Sequence, residues 1–464
     1  MRRSATAVLL VLAVVALWRA VVFAHHAAES EPSVVLYDSN PSHLWNRLYA
    51  ALLVRTDRHG QRFGEDSLDP MLWLESEHLL SDPSHQNAIR LLDEFLQTHG
   101  ENLVHDPTKK AMFQRDLWAV FDWSVAQSAA SNRPHYEKEK QELQLRLAEI
   151  LRRLALTPEQ ITALPNTYAQ AIASGDFAKE FDPNHVERPF LPPDLLDPHG
   201  PWVCIQPSPE SDTGATPMHL FNYSGRSSFL VFVRLPGGRK ATLDYFHTLW
   251  TFPEPYIPGP GPDGDQSPPN PDLPSFPAGT EVALVRRMTL FDTHGELQAT
   301  PITESVQIRV YRAITITPER NFGNGNLADI VKNSGQLFYE FKLSRPLLFA
   351  GKDGGLRAVG RNETELSTFQ QQGDDLIDDP PENPRHRDKP LPELQTCIWC
   401  HSGGGVRSLN SRASLLKPNR MQRDPANPDY GPIYWGDTTS VAWKQNRYDW
   451  GVLNGYWKAA QSRQ

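Results

Sequence analysis

Between residues 41 and 181, apolar side chains recur at three- and four-residue spacing, the interval that lines one face of an α-helix. The pattern predicts helices over Pro41–Arg55, Ser84–His99 and Tyr136–Ala155. The last is marked by Leu143, Leu147, Ile150, Leu151 and Leu154. Thr157 followed by Pro158 and Glu159 is a helix start, with the threonine as N-cap and proline at the first helical position. Near Pro201 the period changes to two. Ser227–Leu235 and Ala241–Leu249 flank the turn residues Pro236, Gly237, Gly238 and Arg239, which reads as a β-hairpin. Glu281–Phe291, Ser305–Tyr311 and Gln336–Leu343 are further β-branched and aromatic runs. The expected fold class is α+β, with a helical domain over 41–181 and an antiparallel, sandwich-like β-rich domain over 201–350. A final segment over 384–464 ends in a helix, where Val441, Trp443, Trp450, Leu453 and Trp457 are spaced for one face and read as packing residues.

Two stretches interrupt the pattern. Pro253–Gly279 holds ten prolines in 27 residues, which no central strand tolerates, and reads as a surface loop. Glu363–Glu382 holds seven acidic residues and no basic one, the composition of a solvated linker into the last segment. Gly323–Ala328 fits the pattern GxGxxA, but no βαβ unit surrounds it, so it too reads as a loop.

The N-terminus carries a separate signal. Arg2 and Arg3 precede an apolar run from Ala5 to Leu17, and Val22, Phe23 and Ala24 offer a small-residue cleavage site, so residues 1–24 read as an export signal. An uncleaved anchor is the alternative, and a membrane role depends on it. The mature chain is then expected in the periplasm or secreted. The formal charge of −9 would become three units more negative on loss of Arg2, Arg3 and Arg19, which argues against a nucleic-acid partner. From Arg385 onward, however, 12 Lys/Arg stand against 6 Asp/Glu, so an acidic partner would favour that end.

Only three cysteines occur, too few for a disulfide framework, and two of them lie together. Cys204 reads as a buried small apolar residue. Cys397, Ile398, Trp399, Cys400 and His401 form CxxCH, in which two thiols stand at the spacing of the haem vinyl groups and the next side chain is an imidazole. A plain disulfide would leave His401 without a task. A zinc site would need a second pair of ligands, and no other CxxC or HxxxH stands nearby.

In these five residues the chain resembles c-type cytochromes. The resemblance implies one covalent haem c, with Cys397 and Cys400 as thioether positions and His401 as the proximal iron ligand. It agrees with export, because haem is attached to such proteins outside the cytoplasmic membrane. The chain departs from the small cytochromes in that Ser402 and Gly403–Gly405 favour a loop after the motif. For the opposite face of the iron, Met421 is the first candidate, His386 the second and a solvent-bound position the third. Arg407 and Arg412 are candidates for the haem propionates.

The expected function is electron transfer to a redox partner protein. Two other classes stay open. One is a haem-dependent oxidoreductase with a further noncovalent centre, and the other a cell-envelope binding or structural protein stapled by haem or by a CxxC disulfide.

Overall fold

The computed structural model describes residues 34–461 except 57–59, 67, 69–77, 82, 128–135, 206–215, 255–269, 315–334, 364–393, 395–400, 402–404 and 410–433. The described part is α+β. Its N-terminal half holds α1 (Leu44–Leu53), α2 (Ser84–Gln97), α3 (Pro107–Ala126), α4 (Tyr136–Leu154), α5 (Pro158–Thr162) and α6 (Thr167–Ser174). A two-stranded ribbon, β1 (Arg55–Thr56) with β2 (Arg62–Phe63), follows α1. The apolar stripes expected on α1, α2 and α4 face the core: Leu143, Leu147, Ile150, Leu151 and Leu154 are all buried.

The start of α5 is a reciprocal cap. The Gln160 amide nitrogen donates to Thr157 Oγ1 at 3.2 Å, and the Thr157 amide nitrogen donates to Gln160 Oε1 at 3.0 Å. Thr157→Ala removes the side-chain acceptor and is expected to cost about 1 kcal/mol. Urea unfolding would detect that loss, and an unchanged midpoint would show the cap to be energetically idle.

The periodicity did not reveal α3, because this helix has no polar face: every residue from Ala111 to Ser124 is buried. It begins on a proline behind the Asp106 cap, whose carboxylate accepts from the Thr108 amide at 2.7 Å. Trp118 meets Phe291 edge to face at 5.3 Å, and Gln114 Nε2 donates to the Phe291 carbonyl at 3.1 Å. The helical layer therefore lies directly on the sheet, and one hydrophobic core runs through both.

That sheet is a six-stranded antiparallel meander in chain order: β3 (Val203–Ile205), β4 (Ser227–Arg234), β5 (Glu281–Phe291), β6 (Leu297–Tyr311), β7 (Gln336–Leu343) and β8 (Leu356–Ala358). Alternate residues divide between two faces. Leu230, Phe232, Ala283, Val285, Val306, Ile308 and Phe341 join the helical core, while Val231, Val233, Val282 and Tyr311 join a second, smaller cluster.

The second cluster corrects two expectations. Ala241–Leu249 is not the return arm of a hairpin: α7 (Pro217–Asn222) precedes β4, and α8 (Gly238–Thr251) follows it. Ala241, Tyr245, Phe246 and Leu249 fall on one helical side and pack on the outer sheet face, so the Pro-Gly-Gly turn leads into a helix. Among the described residues the β-rich region accordingly forms a single sheet. Its outer face is covered by α8, by Leu273 and Phe276 and by Val406, where a sandwich would place another sheet. Cys204, on β3, is buried and free of disulfide.

After α9 (Arg345–Phe349) and the short α10 (Val406–Leu409), the chain ends in α11 (Tyr434–Gln445) and α12 (Tyr448–Gln461). The single terminal helix expected from the tryptophan spacing is thus broken near Asn446. Trp450, Leu453 and Trp457 of α12 are buried, with Trp450 and Trp457 against Phe291, so packing accounts for both rings. Buried Lys444 of α11 donates to Asp122 of α3 at 2.7 Å, and Arg226 reaches the same carboxylate at 2.7 Å. These ion pairs fix α11 to the start of β4. No helix among the described residues is long and apolar enough to cross a membrane, and residues 1–33 lie outside the description.

Candidate functional site

The outer face of the sheet brings His401 against a second histidine. His219 sits on α7, a short helix stopped by two left-handed residues, Ser224 and Gly225, before the chain enters β4. Gly225 has a positive φ of 67°, and a Cβ there would press on Lys444 and the Trp443 ring at 3.0 Å, so glycine is required. The turn holds the His219 imidazole 5.6 Å, centre to centre, from Phe229 of β4. Arg286 lies opposite Phe229 in the ladder, and Arg309 of β6 lies further along the same face. Burial pushes the His219 pKa down to about 4, and the positive charges of Arg309 and Arg286 push the same way. His219 is therefore a neutral imidazole at pH 7.

His401 is held by its own backbone and by the residues just after it. Gln336 Nε2, from the first residue of β7, donates to the His401 carbonyl at 2.8 Å. His401 Nδ1 lies 2.7 Å from the Ser408 carbonyl oxygen. A carbonyl oxygen only accepts, so Nδ1 carries the proton. In the tautomer with the proton on Nδ1, the lone pair of an imidazole lies on Nε2, the nitrogen then able to bind a metal.

Ser408 is itself fixed to the sheet. Its hydroxyl donates to the Gly405 carbonyl at 2.8 Å and accepts from the Tyr311 hydroxyl, while Arg309 Nη1 donates to its carbonyl and its hydroxyl, both at 3.3 Å. Burial raises the Tyr311 pKa, so this phenol stays protonated and able to donate. The Gly405–Ser408 turn is thus anchored on β6, and the His401 backbone on β7.

The centres of the two imidazole rings lie 6.2 Å apart, and their planes are inclined by 25°. Among the described residues, no group of three or more His, Cys, Asp and Glu could hold a metal ion. The two side chains are an imidazole kept neutral by burial, His219, and one whose Nδ1 is hydrogen-bonded to a carbonyl, His401. Such a set suits iron in a porphyrin, which needs from the chain only axial ligands.

Of the residues singled out from the sequence, His401 is described, and the backbone of Arg407 belongs to α10. Cys397, Cys400, Met421, His386, Arg412 and the side chain of Arg407 lie outside the described residues. His219, Arg309, Gln336 and Ser408 carry no motif. Nothing in the spacing of the chain links a histidine behind a proline in the β-rich region to the CxxCH histidine. No family model, no curated protein and no solved structure matches this chain.

Proposed function

We propose that the protein is an exported single-haem protein of the c-type cytochrome kind, whose task is electron transfer to a redox partner outside the cytoplasm. The observation that supports this most directly is the hydrogen bond from His401 Nδ1 to the Ser408 carbonyl. It orients the histidine of the CxxCH motif and leaves Nε2 as the donor atom, as a proximal ligand needs. A disulfide or a structural role for Cys397 and Cys400 would give no reason for that anchoring.

Haem held by Cys397, Cys400 and His401 would supply one-electron exchange between ferric and ferrous iron. The chain's part is to keep the ligand nitrogen still. Arg309, Tyr311 and Gln336 fix the turn after the motif to a sheet buried on both faces, so little rearrangement accompanies a change of charge at the site. Arg286 and Arg309 add positive charge on that side, which disfavours the ferric state and would raise the potential. The local excess of Lys and Arg after residue 385 would favour an acidic partner surface.

Expression in a host able to mature c-type haem tests the reading. After extraction with acidified acetone the colour is expected to remain on the protein, and the joint change Cys397→Ala and Cys400→Ala is expected to abolish that retention. Colour that extracts fully from the unchanged protein, or no colour at all, would sink the proposal.

A further inference from the structure

We propose that His219 is the second axial ligand of the iron, on the face opposite His401. The inference rests on the haem reading above and adds a residue that the motif does not contain. A metal–imidazole bond of roughly 2.0 Å on each side, with about 1.1 Å from each ligating nitrogen to its ring centre, puts the centroids of two axial imidazoles about 6.2 Å apart. The His219 and His401 ring centres are 6.2 Å apart.

The surroundings agree with the separation. His401 is held through Nδ1 and through its backbone carbonyl, and the His219 backbone is held at the end of α7, where its carbonyl accepts from the Tyr223 amide at 3.0 Å. Their planes lie within 25° of parallel, an orientation open to two imidazoles on one axis. Phe229 lies beside His219 and supplies apolar surface to that side. The pair also joins the two regions that the sequence separates, because His219 belongs to the β-rich part and His401 to the C-terminal segment.

Ligation by both rings would fill the iron's coordination sphere. A filled sphere favours electron transfer over an oxidoreductase reaction, which needs an open position for substrate. It also accounts for a single CxxCH motif in so long a chain: the sheet region is then the other half of the haem pocket.

The test uses the full-length protein with its haem attached, in the ferric state, read by visible absorption and electron paramagnetic resonance. The unchanged protein is expected to be low-spin and to lack the weak red-end band of a thioether ligand. His219→Ala is expected to become high-spin while the haem stays covalently bound, and added imidazole is expected to restore the low-spin spectrum. Pulsed resonance on unchanged protein carrying heavy-nitrogen histidine should count two coordinated imidazoles, which covers the case in which His219→Ala fails to fold. One coordinated imidazole, a low-spin spectrum that survives His219→Ala, or a red-end band that vanishes in Met421→Ala would each overturn His219 as the ligand while leaving covalent haem intact. Absence of covalent haem would overturn both readings.

Discussion

Glu304→Gln is expected to destabilise the protein by about 3–5 kcal/mol, because it removes a buried carboxylate shared by two buried guanidinium groups. Arg115 Nε of α3 lies 3.0 Å from one oxygen of Glu304, and Arg286 Nε of β5 lies 2.9 Å from the other. The Ser227 hydroxyl donates to the same carboxylate and accepts from Arg286 at 3.0 Å. All four side chains are buried, so an uncompensated cation cannot turn to water. The cluster ties the central helix to three adjacent strands. Its outer member, Arg286, lies 3.7 Å over the Tyr223 ring, next to the helix that bears His219.

The loss should appear as a lower midpoint of urea unfolding. The double variant with Arg115→Met should recover part of it, since one of the two stranded charges is then gone. A change below about 1 kcal/mol in Glu304→Gln would mean that the neutral amide serves both arginines equally well, and the electrostatic account would be wrong.

Gly354→Ala is expected to cost about 3 kcal/mol or more, for two separable reasons. Gly354 has φ 60° and ψ 15°, a left-handed conformation that costs an L-residue about 1 kcal/mol. Its absent Cβ also marks a close approach of backbones. A methyl group there would overlap the Thr167 carbonyl oxygen and stand 2.8 Å from the Ala171 nitrogen, both on α6. That helix cannot yield freely, because Thr167 Oγ1 accepts from the Thr303 amide at 2.7 Å and so pins α6 to β6.

Gly351 supplies the control. Its φ of 65° is the same conformation, but a Cβ would meet nothing within 4 Å, so Gly351→Ala should show the conformational cost of about 1 kcal/mol alone. Equal unfolding midpoints for the two variants would remove the steric part of the argument.

The α+β class, the change of period near Pro201 and the helix start at Thr157 are all legible along the chain. So are the buried stripe of α4 and the motif ending in His401. Each of these is a local matter. A 3.6- or 2-residue period, a capping box and a CxxCH spacing are fixed by neighbours along the chain, so they can be read without knowing what they pack against. Tertiary structure decided the rest. The α3 helix is invisible to periodicity because the sheet buries the side that would otherwise be polar, and its charged residues are satisfied only by distant partners such as Glu304 and Arg226. The 241–249 run alternates well enough to pass for a strand, yet the four-, one- and three-residue steps between Ala241, Tyr245, Phe246 and Leu249 close on the outer sheet face as a helix. The sheet face also brings His219 to within 6.2 Å of His401, although nothing in the chain between them announces it. A histidine becomes a ligand candidate through the separation and protonation of the group it faces, and both depend on the register of β4 with β5 and on the turn that seats Ser408 against Arg309 and Tyr311.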